Sequence, residues 1–185
     1  MRKTYLFMMV SLDGFFEGLD HDLSWHNVDH EFDDFTIDQL NETDDILFGR
    51  KTYEMMASFW PSDAARANDP IVAEKMNTTP KIVFSRTLER AEWQNTRLVK
   101  DNVQSEIDAL KRQPGKDIAV FGSSDLSLTL LRLGLLDELR IMVNPVVLGD
   151  GKRLFEGMRD PLSLRLLHSR TFRSGNVLLH YQPKT

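Results

Sequence analysis

Three short apolar runs in this chain end in the same way. DILF at 45–48 leads into Gly49-Arg50-Lys51-Thr52, KIVF at 81–84 into Ser85-Arg86-Thr87, and IAVF at 118–121 into Gly122-Ser123-Ser124-Asp125. Apolar runs of this length bounded by turn residues read as buried strands. The segments after Gly49 and Gly122 read as helix starts. A helix that opens directly off a strand end leaves unpaired backbone amides at its N-terminus, where an anion is favoured. A chain that repeats this pattern folds most simply as an α/β sheet, with an anion site assembled along its strand ends. No single segment suffices for that site, which exists only if the three meet in space.

The rest of the chain supplies the other elements. TYLFMMV at 4–10 is a continuous apolar run and predicts a central strand covered on both faces. Ser11-Leu12-Asp13-Gly14 reads as its exit and turn. Residues 15–30 show no clean period and read as a long loop. A helix is expected over 31–42 and another over 51–59, the latter presenting Tyr53, Met56 and Phe59. Pro61 and Pro70 mark 61–73 as an irregular excursion. A short strand at 96–99 precedes a helix capped by Asp101 or Asn102, with Val103, Ile107 and Leu110 at i, i+4 and i+7. Pro114-Gly115 stops it. The helix opening at Ser123 or Ser124 carries Leu126, Leu130 and Leu133 on one face and ends at Gly134. Residues 139–148 read as a strand with a bulge or register change at Pro145. Segments 164–172 and 176–181 flank Ser174-Gly175 as a hairpin. Strand–helix units followed by antiparallel strands imply a mixed sheet.

Bulk properties limit the function classes. At 185 residues the chain is expected to form one domain over 1–185. It has no cysteine, which removes disulfides and thiol nucleophiles. With 23 basic against 28 acidic residues, the net charge of −5 does not recruit nucleic acid or anionic lipid in bulk. Asp13 interrupts the apolar N-terminal stretch, which argues against a signal peptide, and no run reaches membrane-span length. The expectation is a cytoplasmic protein acting on a small molecule.

The chemistry-bearing segments each admit two readings. In FGSSDL, Gly122 allows a close backbone approach and two serines open a helix toward a phosphate; equally, Gly122 is a turn and one serine an ordinary N-cap. In GRKTY, Arg50 and Lys51 oppose the helix dipole unless an anion sits there, or they simply face water. In SRT, Arg86 can fork onto a terminal phosphate, or it is a common surface arginine. Their shared position at three strand ends favours one phosphate site. The lysine loop of P-loop proteins and the GxGxxG fingerprint are both absent, so a dinucleotide would bind outside the common pattern. His21, His26 and His30 lie among Asp20, Asp22 and Asp29, but their spacing fits no zinc motif and no metal is expected. Ser123 and Ser124 lack the second glycine of a G-x-S-x-G nucleophile turn.

The combination resembles the dihydrofolate reductase-like fold, and more closely the RibD C-terminal family, the reductase domain of bacterial riboflavin synthesis. The matching pieces are SLDG at 11–14, LFGRKTYE at 47–54, FSRT at 84–87 and FGSSDL at 121–126. The most specific piece is LLDELRIMVNPVVLGDGKRLF at 135–155. The resemblance implies a three-layer α/β/α fold with a mixed, mostly parallel central sheet and a C-terminal antiparallel hairpin. It implies NADPH bound across that sheet, and a homodimer. Gly49, Arg50 and Thr52 would approach the cofactor's phosphates, Ser85 and Arg86 the adenosine 2′-phosphate. Gly122, Ser123, Ser124 and Asp125 would hold the pyrophosphate. Asp13 would sit beside the nicotinamide and substrate, with Ser11 and Asn144 also toward substrate. The candidate proton source is Asp13, or water held by it.

The implied activity is NADPH-dependent reduction of a small heterocycle, similar to 5-amino-6-(5-phosphoribosylamino)uracil reductase. The alternatives are a dihydrofolate reductase-type activity, or a nucleotide-binding protein of the same fold without turnover. Two departures from the pattern stand out. A pair of glycines commonly occupies the place of Gly122-Ser123, and no acid on the 31–42 helix is fixed by a surrounding motif.

Overall fold

A computed structural model describes residues 1–184. In chain order its elements are β1 (Thr4–Val10), β2 (Phe15–Glu17), a 3₁₀ turn (Leu19–His21), α1 (His30–Asn41), β3 (Thr43–Gly49), α2 (Arg50–Phe59), α3 (Asp63–Asn68) and α4 (Pro70–Thr78). There follow β4 (Lys81–Phe84), β5 (Thr96–Val99), α5 (Val103–Arg112), β6 (Asp117–Phe121), α6 (Ser124–Arg132) and β7 (Glu138–Val143). β8 (Lys152–Arg153), β9 (Leu164–Thr171) and β10 (Val177–Pro183) complete the order.

Eight strands form one sheet in the order β5-β4-β3-β6-β1-β7-β10-β9. The first six are mutually parallel, and β10 runs antiparallel between β7 and β9. This is the mixed, mostly parallel sheet with a C-terminal hairpin expected from the sequence. Alternation along β1 explains why its run is apolar throughout. Leu6, Met8 and Val10 face Ile107 and Leu110 of α5 and Leu126 and Leu130 of α6. Tyr5 faces the opposite side, with Leu40 of α1, Tyr53 of α2, and Val72 and Met76 of α4. Both faces are dry, as a central parallel strand requires.

Three expectations are corrected. The stretch 61–73 is not irregular, because it holds α3 and the start of α4. Ser62 accepts the Ala65 amide and Asp69 accepts the Val72 amide, so each helix has its cap. Pro70 stands in the first turn of α4, where a missing N–H costs nothing. Nor does Pro145 interrupt a strand: β7 ends before it at Val143 and pairs with β1 and β10 in continuous register. Third, the 15–30 loop opens with β2, which pairs antiparallel with β8 as a separate two-stranded ribbon.

Lys81 begins β4 at the end of α4 with 1% of its surface exposed. Its Nζ donates to the carbonyls of Met76, Asn77 and Thr79 and lies 4.4 Å from the centre of the Trp93 ring. Among the described residues no helix is long and apolar enough to cross a membrane.

Candidate functional site

The parallel strands β3, β4, β5 and β6 deliver their C-terminal ends to one edge of the sheet. Gly49, Arg50, Thr52, Ser85, Arg86, Ser123, Ser124 and Asp125 all line a single cleft there, of about 650 Å³. Eight of the nine residues singled out as cofactor contacts are therefore neighbours in space. The ninth, Gly122, lies just behind them with φ +67°, where an added Cβ would stand 3.1 Å from Thr52 Cγ2. A side chain there would push the α2 start away from β6, so glycine is required by both backbone conformation and space. A larger cavity of about 700 Å³ between α2 and the 88–94 segment takes in none of these strand ends. We place the site at the strand ends because the free helix amides and the cations converge there.

Local chemistry at the cleft suits an anion. Gly49 caps α2 with no side-chain bond, the first turn of α2 holds no acid, and Arg50 and Lys51 are both exposed there. Two cations against the positive end of a helix repel it, and a bound anion reverses that sign. Ser85 Oγ accepts the amides of Thr87 and Leu88, which shapes the turn that presents Arg86. Arg86 Nε lies 3.5 Å from Asp101, with both side chains largely exposed. Such a surface pair is worth about 1 kcal/mol at most, so Arg86 is free to exchange it for a ligand. Asp125 is exposed in the first turn of α6. Only its amide suits a phosphate, since its carboxylate would repel one.

Sequence reasoning missed part of the lining. Lys100, Asn102 and Gln104 enter from the β5–α5 junction, and Phe16, Glu17 and Lys152 from the β2–β8 ribbon. The first group follows β5, whose Thr96 and Arg97 break the apolar run that marks the other junctions. The ribbon carried none, because strands of three and two residues have no readable period.

The residues assigned to the substrate side turn out to be internal ties. Asp13 accepts Ser11 Oγ at 2.6 Å and the amides of Leu148 and Gly149 at 3.1 and 2.8 Å. The Ser11 hydroxyl, followed by those amides, draws its carboxyl down to about 2. An ionised carboxylate so engaged has no proton to give at neutral pH, so the expectation of Asp13 as proton source is corrected to a tether for the 145–151 turn. Ser11 is buried, and its Oγ also accepts the Phe15 amide. Asn144 is fully buried; its Oδ1 accepts the Asn27 amide and its Nδ2 donates to the carbonyls of Val10 and Met142. Both side chains are spent on the fold rather than presented to a substrate.

This gives a pH prediction. The folded pKa of Asp13 lies below the ordinary carboxylate value of about 4. Its contribution to stability is therefore present above pH 4 and lost as pH falls toward 2. Asp13→Asn should melt below wild type at pH 7, and the two melting curves should converge as pH approaches 2. Parallel curves across that range would contradict the tether.

Of the acids on α1, Glu31 has a structural role. Glu31 accepts Arg170 at 3.0 Å and the Arg173 amide at 2.9 Å, which fastens α1 to the β9–β10 hairpin. Asp33 is pushed up by burial and by the nearby Asp69. Burial likewise pushes His26 down to about 4, leaving it neutral.

The sequence profile described as the RibD C-terminal domain matches residues 2–178. YyaP, an uncharacterized protein of Bacillus subtilis strain 168, is 36% identical over 182 residues, covering 97% of this chain and 94% of its own. Among solved structures, a putative riboflavin biosynthesis protein from Shewanella sp. PV-4 superposes with a TM-score of 0.77 at 23% identity, covering 99% of both chains. A diaminohydroxyphosphoribosylaminopyrimidine deaminase/5-amino-6-(5-phosphoribosylamino)uracil reductase from Thermotoga maritima gives 0.70 at 16% identity. That match takes 99% of this chain and 57% of the longer one.

Proposed function

The chain belongs to the RibD C-terminal domain family, and from that premise we propose that it is an NADPH-dependent reductase of a small heterocycle, similar to 5-amino-6-(5-phosphoribosylamino)uracil reductase. The observation that carries this reading is the convergence of three separate strand-end segments on one cleft. NADPH, when bound, supplies the hydride; the protein supplies binding, orientation and the exclusion of water.

The residues present fit such a ligand. The first-turn amides of α6, with the Ser124 hydroxyl beside them, suit a diphosphate, and Gly122 lets β6 approach Thr52 of α2 closely behind them. Arg50 and the Thr52 hydroxyl approach from the α2 side. Arg86, backed by the Ser85 turn and Lys100, suits a terminal 2′-phosphate. The β2–β8 ribbon screens the cleft with Phe16, Glu17 and Lys152. For the folate-reductase alternative, Glu31 is committed to Arg170 and the hairpin and does not serve as its acid.

Fluorescence titration with NADPH and NADH tests the reading. The wild type should prefer NADPH. Arg86→Ala should weaken NADPH about 10- to 100-fold, the scale of one charge-assisted phosphate contact of roughly 1.5–3 kcal/mol, and leave NADH within about twofold. Retention of the preference in that variant removes Arg86 from the site, and a wild type that binds neither nucleotide overturns the function.

A further inference from the structure

We propose that Ser123 is a latch that fixes the spacing between the two halves of the cleft, a role that rests on the NADPH reading. The halves are the β3–α2 junction, with Arg50 and Thr52, and the β6–α6 junction, with Ser124 and Asp125. The β3–β6 ladder pairs Ile46 with Ala119 and Leu47 with Val120, and stops there. Beyond it, Ser123 Oγ accepts the Gly49 amide at 2.9 Å and so joins the two junctions.

Ser123 is held unusually firmly for this task. It sits at φ 60° and ψ 63°, a left-handed conformation that residues other than glycine seldom adopt. It is the N-cap of α6, yet its hydroxyl makes no capping bond to its own helix and turns to the neighbouring junction instead. The usual role of an N-cap serine is thus given up for a link between elements. Behind it, Ser127 donates both its amide and its Oγ to the Ser123 carbonyl, each at 3.0 Å. Only 8% of the residue is exposed. A Cβ added at Gly49 would lie 3.7 Å from both Cβ and Oγ of Ser123, so an alanine there would only just fill the space between the junctions. Strain at a site persists when its surroundings over-determine it, and here three hydrogen bonds do so.

The chemical consequence concerns ligand size. The latch occupies the Gly49 amide, so phosphate must be held by Arg50 and Thr52 on one side and by the α6 amides on the other. A ligand that bridges both junctions feels their separation; a fragment that touches only the β4 end does not. Where a glycine stands at this position no hydroxyl is available, so the latch is a property of this chain's serine.

The test uses Ser123→Ala, which deletes only the hydroxyl, and Ser123→Gly, which also relieves the left-handed strain. NADPH and adenosine 2′-monophosphate, which carries the 2′-phosphate and nothing of the diphosphate, are titrated against each full-length protein. The latch predicts that both variants weaken NADPH by about tenfold or more, the scale of one lost positioning hydrogen bond, and leave the monophosphate within about twofold. General loosening would weaken both ligands alike, and that result overturns the latch. So does unchanged NADPH affinity in Ser123→Ala beside a wild type that binds it. A wild type that binds the monophosphate but not NADPH, or neither, overturns the cofactor reading and this proposal with it.

Discussion

Alanine at Gly151 is expected to unseat the β2–β8 ribbon and to lower both stability and NADPH affinity. Gly151 has φ +135°, and an added Cβ would stand 2.3 Å from the Glu17 carbonyl oxygen and 3.0 Å from Gly18 Cα. Both neighbours are backbone, so no side-chain rotation can relieve the contact. The relief must come from separating Glu17 from Lys152, which are paired across the ribbon. The strain should cost at least about 2 kcal/mol, a fall in Tm of roughly 5 °C or more for a chain of this size. Because Phe16, Glu17 and Lys152 line the cleft, NADPH should weaken more than about tenfold. Gly149→Ala is the control. Gly149 also has positive φ, +77°, but nothing lies within 4 Å of its Cβ position. It should show the backbone cost alone and retain binding. Equal behaviour of the two variants would remove the ribbon from the site.

Lys81→Met should produce the largest loss of stability. The substitution keeps most of the unbranched stem and removes its three bonds to the carbonyls of Met76, Asn77 and Thr79. Burial pulls the ammonium down to about 8, which still leaves it charged at neutral pH. That charge sits at the C-terminal end of α4, where a cation is favoured. Its deletion leaves buried acceptors without a donor, a loss of about 3–5 kcal/mol and roughly 6–15 °C in Tm. Thermal or urea unfolding measures it. The effect should reach the cleft as well, because Trp93, under Lys81, donates its backbone amide to Tyr53 of α2. A loss below about 1 kcal/mol would mean that water replaces the ammonium without cost.

The strands and the phosphate-suited junctions were legible because each is written locally. An apolar run, a glycine or serine and a polar helix start need no distant partner to be recognised. The excursion at 61–73 was misread because Pro61 and Pro70 look like breakers. Whether Pro70 breaks a helix or begins one depends on Asp69 as its cap, and that reading requires the helix to be suspected first. Asp13, Ser11 and Asn144 were read as substrate-side residues, whereas the structure shows them bonded to neighbouring backbone. Their partners, the amides of Gly149, Phe15 and Asn27, are backbone groups that carry no sequence signature. The role of Ser123 was hidden for the same reason: the departure from glycine is visible in the letters, but the amide it reaches belongs to a residue far away in the chain.

The central place of β1 also shapes how the molecule is made. Thr4 pairs with Ile118 and Tyr5 with Glu138, so β1 finds no strand partner until β6 and β7 have been synthesised. Until then TYLFMMV is an uncovered, uncharged segment, the kind of nascent stretch that invites chaperone holding or self-association. Production at low temperature or with slowed translation should therefore alter soluble yield more than any change at the cleft.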